Sequence, residues 1–201
     1  MKDSEIESTV VPNQTKAGNA PVSVVRLGRL TPTLLADVRL SAKLRLVRIT
    51  HKVDYGVRAV VCLARAESAA PGVPVKGEVV ATSESIPPMF LNDILRGLRS
   101  GGLLRSQRGA EGGWTLARDP GDITVADVIR VLEGPLASVR GIRPHDLASD
   151  GVAEPFVSLW VAVRASLRSV LERVTVADLA QGRLPDDVAA LLDAPGAWAT
   201  R

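Results

Sequence analysis

Cysteine is almost absent from this chain. Its 201 residues include one, Cys62, so no disulfide can form within the chain, which suits a reducing cytoplasm. Aromatic residues are scarce at 3%, so the core must be built mostly from Val, Leu, Ile and Ala. There are two histidines, His51 and His145, and no evident acid–base pairing among them and Cys62, which argues against an enzyme. Cys62 lies beside Val61 and Leu63 and reads as a core residue rather than a reactive thiolate. No stretch approaches the roughly 18 apolar residues that would span a bilayer. The opening MKDSEIESTV is polar and acidic where a secretion signal is basic and then apolar. The glycines of 109–113 do not make a phosphate loop, because no Gly-Lys-Ser/Thr follows and they join two extended runs.

What the chain does have is positive charge in one place. The formal charge is only +3, with a pI near 9.4, but it is unevenly spread. Residues 47–95 balance five basic against five acidic side chains. Residues 96–118 carry Arg96, Arg99, Arg105, Arg108 and Arg118 against the single acid Glu111. Residues 119–201 hold twelve acids and eight bases. A basic stripe beside an acidic remainder is the footprint of a nucleic-acid site; the alternative is a solvated arginine face.

Periodicity organises the rest. Residues 1–20 are polar and aperiodic and read as disordered, and 21–46 stay ambiguous. Val53, Val57, Val60, Val61 and Ala64 recur at helical spacing and predict a helix over about 50–67. Residues 75–84 predict a short helix weakened by Gly77. After Ile86-Pro87-Pro88, the set Leu91, Ile94, Leu95 and Leu98 defines a second amphipathic helix, stopped at Gly101-Gly102. The segment LLRSQR-GAEGG-WTLAR predicts a β-hairpin with a loop of about five residues. Thr124 with Asp127 resembles a capping box opening a helix through about Leu132, and 134–153 reads as loop. Phe156, Leu159, Trp160, Val163, Leu167, Val170, Leu171 and Val174 then predict a long amphipathic helix over about 155–174, followed by a short one over 175–181.

Helix, short helix, turn, amphipathic helix and basic hairpin is the order of a winged helix-turn-helix: a mainly α fold with a small β wing (α+β). Such a fold places the N-terminal residues of its second helix at base edges in the major groove of double-stranded DNA. Here those residues are Pro88, Met89, Asn92 and Arg96. Arg108, on a thin glycine-rich turn with Gly109, is suited to a narrow minor groove. Lys52, Arg99 and Arg105 are the expected phosphate contacts, and Tyr55 and Ser106 complete the expected interface. The stripe on 155–174 exceeds what one small winged domain can cover, so Phe156, Leu159, Trp160, Val163, Leu167, Val170 and Leu171 are expected to pair across a homodimer two-fold.

Three runs carry a more specific signal: ITHKVDYGVRAVVCLA, MFLNDILRGLRSGGLLRSQRGAEGGWTLARDPGDITVADVIRVLEG and LWVAVRASLRSVLERVTVADLA. Together they resemble the Rrf-type transcription regulators, the family of IscR and NsrR, over about Val47 to Gln181. The resemblance implies a homodimer with crossed C-terminal helices on a pseudo-palindromic operator, most often as a repressor. Where family members often carry Glu after a Tyr-Leu pair, Phe90-Leu91 is followed by Asn92, which pairs with adenine rather than cytosine. Cluster-binding members have three cysteines before the long helix; Gly134–Phe156 has none. His145, and Asp54 at a position where some members donate a carboxylate, hold no iron–sulfur cluster without thiolates, so no cofactor or metal is expected. The effector stays open between a small molecule, a partner protein and none.

The expected organisation is therefore a tail over 1–46, a winged domain over 47–134, a cysteine-free sensor loop over 135–154, a dimerisation helix and short final helix over 155–182, and a flexible tail over 183–201. Family members begin near Val47, so 1–46 reads either as an upstream over-extension of the reading frame or as a basic arm. A protein-interaction module on the same scaffold is the competing function.

Overall fold

The computed structural model describes residues 49–151 and 153–199, and the tail expected over 1–46 lies outside them. The first helix, α1 (His51–Ala69), opens where the Thr50 hydroxyl accepts the Val53 N–H at 3.2 Å. It buries Val53, Ala59, Val60, Val61, Leu63 and Ala64, the face that the apolar spacing marks out. Gly56 also faces inward, where a Cβ would lie 2.3 Å from Leu132 Cδ1. Cys62 is half-buried at the rim of this core, with Sγ 3.4 Å from Ser83 Oγ, rather than inside it.

Helix α2 (Gly77–Ser83) and helix α3 (Pro88–Ser100) form the helix-turn-helix pair. Gly77 heads α2 instead of interrupting it, which removes the penalty a mid-helix glycine would carry. In the turn, Ser85 takes a left-handed φ of 52°, and buried Ile86 donates its N–H to Ala81 O at 2.9 Å. Arg58 of α1 braces the turn by donating to the Glu84 carbonyl, with its Nε 3.4 Å from the Glu84 carboxylate. Pro88 stands in the first turn of α3, where its missing N–H costs nothing. Leu91, Ile94, Leu95 and Leu98 are buried. The helix ends with Gly102 at φ 74° while Leu103 N–H reaches back to Leu98 O at 2.9 Å, the Schellman geometry that glycine permits.

The wing pairs β1 (Leu104–Gln107) with β2 (Gly113–Leu116), antiparallel, with Arg105 opposite Thr115 and Ser106 opposite Trp114. Val75 adds a short third rung by exchanging two hydrogen bonds with Trp114, at 3.0 and 2.9 Å. Gly113 permits that approach: a Cβ there would sit 2.5 Å from the Val75 carbonyl oxygen.

Helix α4 (Val125–Glu133) and helix α6 (Val176–Ala180) begin with near-identical sequences, Ile123–Asp127 and Val174–Asp178, each with a complete capping box. The two openings bond to one another, Val125 N–H to Val174 O at 3.0 Å and Val176 N–H to Ile123 O at 2.8 Å. This stitch returns the C-terminal part of the chain to the winged domain, and Val176 joins the common core. Buried Asp178 accepts from the Thr175 hydroxyl at 2.6 Å and faces Arg183 at 2.9 Å.

Helix α5 (Glu154–Leu171) lies between them and stops three residues short of the expected 174, because Thr175 caps a new helix instead. Two segments are more ordered than their sequences predict. The expected loop includes a 3-10 turn over Pro144–Asp150 that buries Pro144 and Leu147. The expected tail includes α7 (Asp186–Ala189) and a 3-10 turn over Ala190–Asp193, with Val188 buried. No helix among the described residues is long and apolar enough to cross a membrane.

Two glycine substitutions test this packing. Gly113→Ala should lower stability by about 1–3 kcal/mol, the range for overpacking, because its Cβ meets backbone. Gly97→Ala should raise it by about 0.5–1 kcal/mol, since its Cβ finds only an ordinary contact with Leu132 at 3.5 Å. Chemical denaturation of both variants checks the pair of signs.

Candidate nucleic-acid interface

The exposed face of α3 and the wing are held as one unit. Along α3, Pro88, Met89, Asn92 and Arg96 are exposed, with Met89 at 81%. The buried leucines fix this face outward, because they occupy the opposite side of the same helix. Arg99, further along, donates to the Ser106 hydroxyl of β1 at 3.0 Å and so links helix to hairpin. Arg105 is exposed on β1. Arg108 and Gly109 stand at the tip of the turn, where Gly109 takes φ 106° and Gly112 N–H closes onto Gly109 O at 3.0 Å. Five predicted residues, Asn92, Arg96, Arg99, Arg105 and Arg108, thus lie exposed on two adjoining elements.

Two predicted residues also have partners within the protein. Lys52 is exposed and donates to the Leu132 carbonyl at 2.8 Å, so its ammonium meets the C-terminal end of α4. Tyr55 is half-buried, packed against the core, with its ring 5.9 Å from that of His51. One residue that the sequence reading did not place at the interface is Phe90, 62% exposed beside Met89. Its signal was present, since 90 falls off the Leu91–Leu98 apolar face.

Helix α5 contributes nothing to the main core cluster, and only Val157 on it is buried. Phe156, Leu159 and Trp160 are exposed at 58, 51 and 37%, and Val163, Leu167, Val170 and Leu171 are half-buried. Where α4 meets α5, Glu172 accepts from Arg168 Nε at 2.9 Å and from Arg130 of α4. The Arg168 hydrogen bond, then that of Arg130, holds the Glu172 carboxyl below its ordinary value of 4.5.

Comparison with known proteins accords with this architecture. Residues 49–182 match the Rrf2 family, described as iron-dependent transcriptional regulators. The chain belongs to the Rrf2 family. It is similar to the HTH-type regulator Rv1287 of Mycobacterium tuberculosis, at 50% identity over 73% of this chain and 89% of that protein. It is also similar to CymR, the global cysteine regulator of Bacillus subtilis, whose structure superposes with a TM-score of 0.57 at 30% identity, over 68% of this chain and 98% of that one. The structure of IscR from T. potens gives a TM-score of 0.52 at 32% identity, over 77% and 93% respectively. The fold is the winged helix of these regulators, and the protein is a transcription regulator rather than an enzyme.

The family description implies iron, and the donors of this chain do not fit it. Its single thiol, Cys62, is packed on α1 against α2. The segment before α5 carries no cysteine, His145 is engaged with Asp146 and Arg164, and Asp54 with Arg58. Among the described residues no three of His, Cys, Asp and Glu come together as a metal site. Cluster iron needs thiolates that are missing here.

The Glu172 pairing gives a pH prediction. A carboxylate whose folded pKa is lowered stabilises above its ordinary pKa, and that contribution is lost as pH falls through the lowered value. Glu172→Gln should therefore be less stable than the parent at neutral pH. The gap should close as pH drops below 4.5, in melts recorded as a function of pH.

Proposed function

We propose that this Rrf2-family regulator is a homodimeric, cytoplasmic repressor that binds a pseudo-palindromic operator, with α3 in the major groove and the wing in the minor groove. The observation that carries the reading is the Arg99–Ser106 bond, which fixes the exposed face of α3 beside a hairpin with Arg105 and Arg108 free toward solvent. Asn92 then reads adenine bidentately, Met89 and Phe90 offer apolar contact to thymine methyls, and the arginines engage phosphate and the narrow groove.

The dimer reading rests on α5. Four exposed apolar residues, Phe156, Leu159, Trp160 and Val161, cover two turns of a helix that the protomer's own core leaves uncovered. A second copy of the same face is a self-complementary occupant, as a two-fold interface requires. A two-fold also supplies two wings, which is what a pseudo-palindrome asks for.

Titrating the full chain with the DNA upstream of its own gene, across a salt series, tests operator binding. Arg108→Ala should weaken binding and reduce the slope of log affinity against log salt by about one. Asn92→Glu should keep that slope and change base preference by about 1–3 kcal/mol at one position per half-site. Unaltered affinity in the first and unaltered preference in the second would sink the interface.

Dimerisation has its own test. Leu159→Arg with Trp160→Glu should give a monomer by sedimentation equilibrium, with the fold intact by circular dichroism. A parent chain that sediments as a monomer at micromolar concentration would overturn the dimer.

A further inference from the structure

Four arginines converge on a recess of about 310 Å³ between α4, the segment after it and α5: Arg130, Arg143, Arg164 and Arg168. Their internal neutralisation is incomplete. Glu172 serves both Arg130 and Arg168, and Asp127 adds a second, longer contact to Arg130 at 3.4 Å. Arg164 meets no carboxylate among the described residues; its side-chain partner is the imidazole Nδ1 of His145, at 3.4 Å. Arg143 is exposed with no ion pair among the described residues. Two guanidinium groups, Arg143 and Arg164, are thus left without a carboxylate partner among the described residues on the wall of one concavity.

Repulsion among guanidinium groups that line one recess is relieved by an oxyanion, and arginine's planar fork suits carboxylate and phosphate geometry. The recess also has an apolar wall, Pro135 and Leu136, which bare inorganic ions do not need. Its volume lies at the low end of the range for small-molecule sites, about 300–1,000 Å³. That is room for a short carbon skeleton with an anionic group at each end. A concave wall with an apolar patch fits a small ligand better than a DNA backbone, which convex surfaces meet.

We propose that this recess binds a small organic compound carrying two negative charges as oxyanion groups, either a dicarboxylate or a phosphorylated compound. An occupant touches Arg130 of the winged domain and Arg164 and Arg168 of α5 at once. It therefore ties α4, which packs against α3 within the winged domain, to the helix that bears the apolar face, which is where a ligand gains leverage on the spacing of two wings in the proposed dimer.

The test uses the full chain without DNA, so its failure leaves the operator reading untouched. Succinate and inorganic phosphate are titrated separately by calorimetry at one ionic strength set with KCl. At least one should bind saturably, at millimolar concentration or below. Arg143→Gln and Arg164→Gln should each weaken that binding about tenfold or more, the effect of losing one charge-assisted hydrogen bond. Arg65→Gln, which removes an equal charge from α1, should leave it unchanged. Binding of succinate alone assigns a dicarboxylate, and binding of phosphate alone assigns a phosphorylated compound. Absence of saturable binding by either anion, or equal weakening in Arg65→Gln, overturns the proposal.

Discussion

Everything in this fold leans on the buried face of α1. That one helix is touched by α2, α3, α4, β2 and α6, and its Val53–Ala64 face is the surface on which they meet. Burial of small β-branched and alanine side chains there substitutes for the missing aromatics. Fully burying one valine contributes about 1.5 kcal/mol or more, and α1 buries three valines and a leucine together. Because these side chains are short, neighbouring helices come close, and Gly56 against Leu132 is where the approach is tightest. Small residues on α1 therefore set how near α4 lies. The nearness of α4 in turn lets Lys52 and Thr50 bond to its last turn.

The parts legible in the sequence were those with a strong period or a stereochemical stop. Leu91–Leu98 marked α3, Pro88 and Gly101-Gly102 marked its ends, and five residues of Gly-rich turn marked the wing. The parts that were not legible depend on partners distant in the chain. Lys52 looks like any surface lysine until α4 brings the Leu132 carbonyl to it, 80 residues on. The end of α5 at Leu171 was masked because Val174 continues the apolar period; a residue in the core by way of the Ile123–Val176 stitch gives the same spacing as one on a longer helix. The paired Thr-Val-Ala-Asp openings were visible as text, but their mutual bonding follows only from the antiparallel meeting of Thr124 and Thr175. Order near the C-terminus escaped for a similar reason, since α7 is short and is held by Val188 and the Arg173–Asp187 pair rather than by any period of its own.

The chain keeps its positive charge in two separate places, and the two differ in kind. On α3 and the wing, Arg96, Arg99, Arg105 and Arg108 are exposed, and the hydrogen bond among them, Arg99 to Ser106, is to a neutral group. Around the recess between α4 and α5, arginines are gathered inward, and half of them are already held by Glu172. The first arrangement is suited to the proposed exchange of solvent counterions for a polyanion; the second presents a shaped concavity with an apolar wall. Composition alone registers both as arginine, which is why the sequence stripe over 96–118 stood out while the second group, diluted by twelve acids, did not.

The loss of thiols and the presence of that recess occupy the same stretch of chain. In a family described as iron-dependent, the segment before α5 is here built from Pro135, Leu136, Arg143 and a 3-10 turn that buries Leu147. A thiolate-bound cluster adds fixed charge and rigidity to such a segment. This chain obtains order there from burial of Leu147 and Pro144, and leaves the charge requirement open as uncompensated cation. A segment ordered by its own packing does not need a metal to fold, so it is free to respond to something that binds reversibly. The position matters as much as the chemistry. Arg130 shares Glu172 with Arg168, so the carboxylate that couples α4 to α5 is itself bonded to two walls of the recess. An anion entering there competes with Glu172 for the same guanidinium groups, and any change in that competition is felt at the junction between the DNA-reading domain and α5.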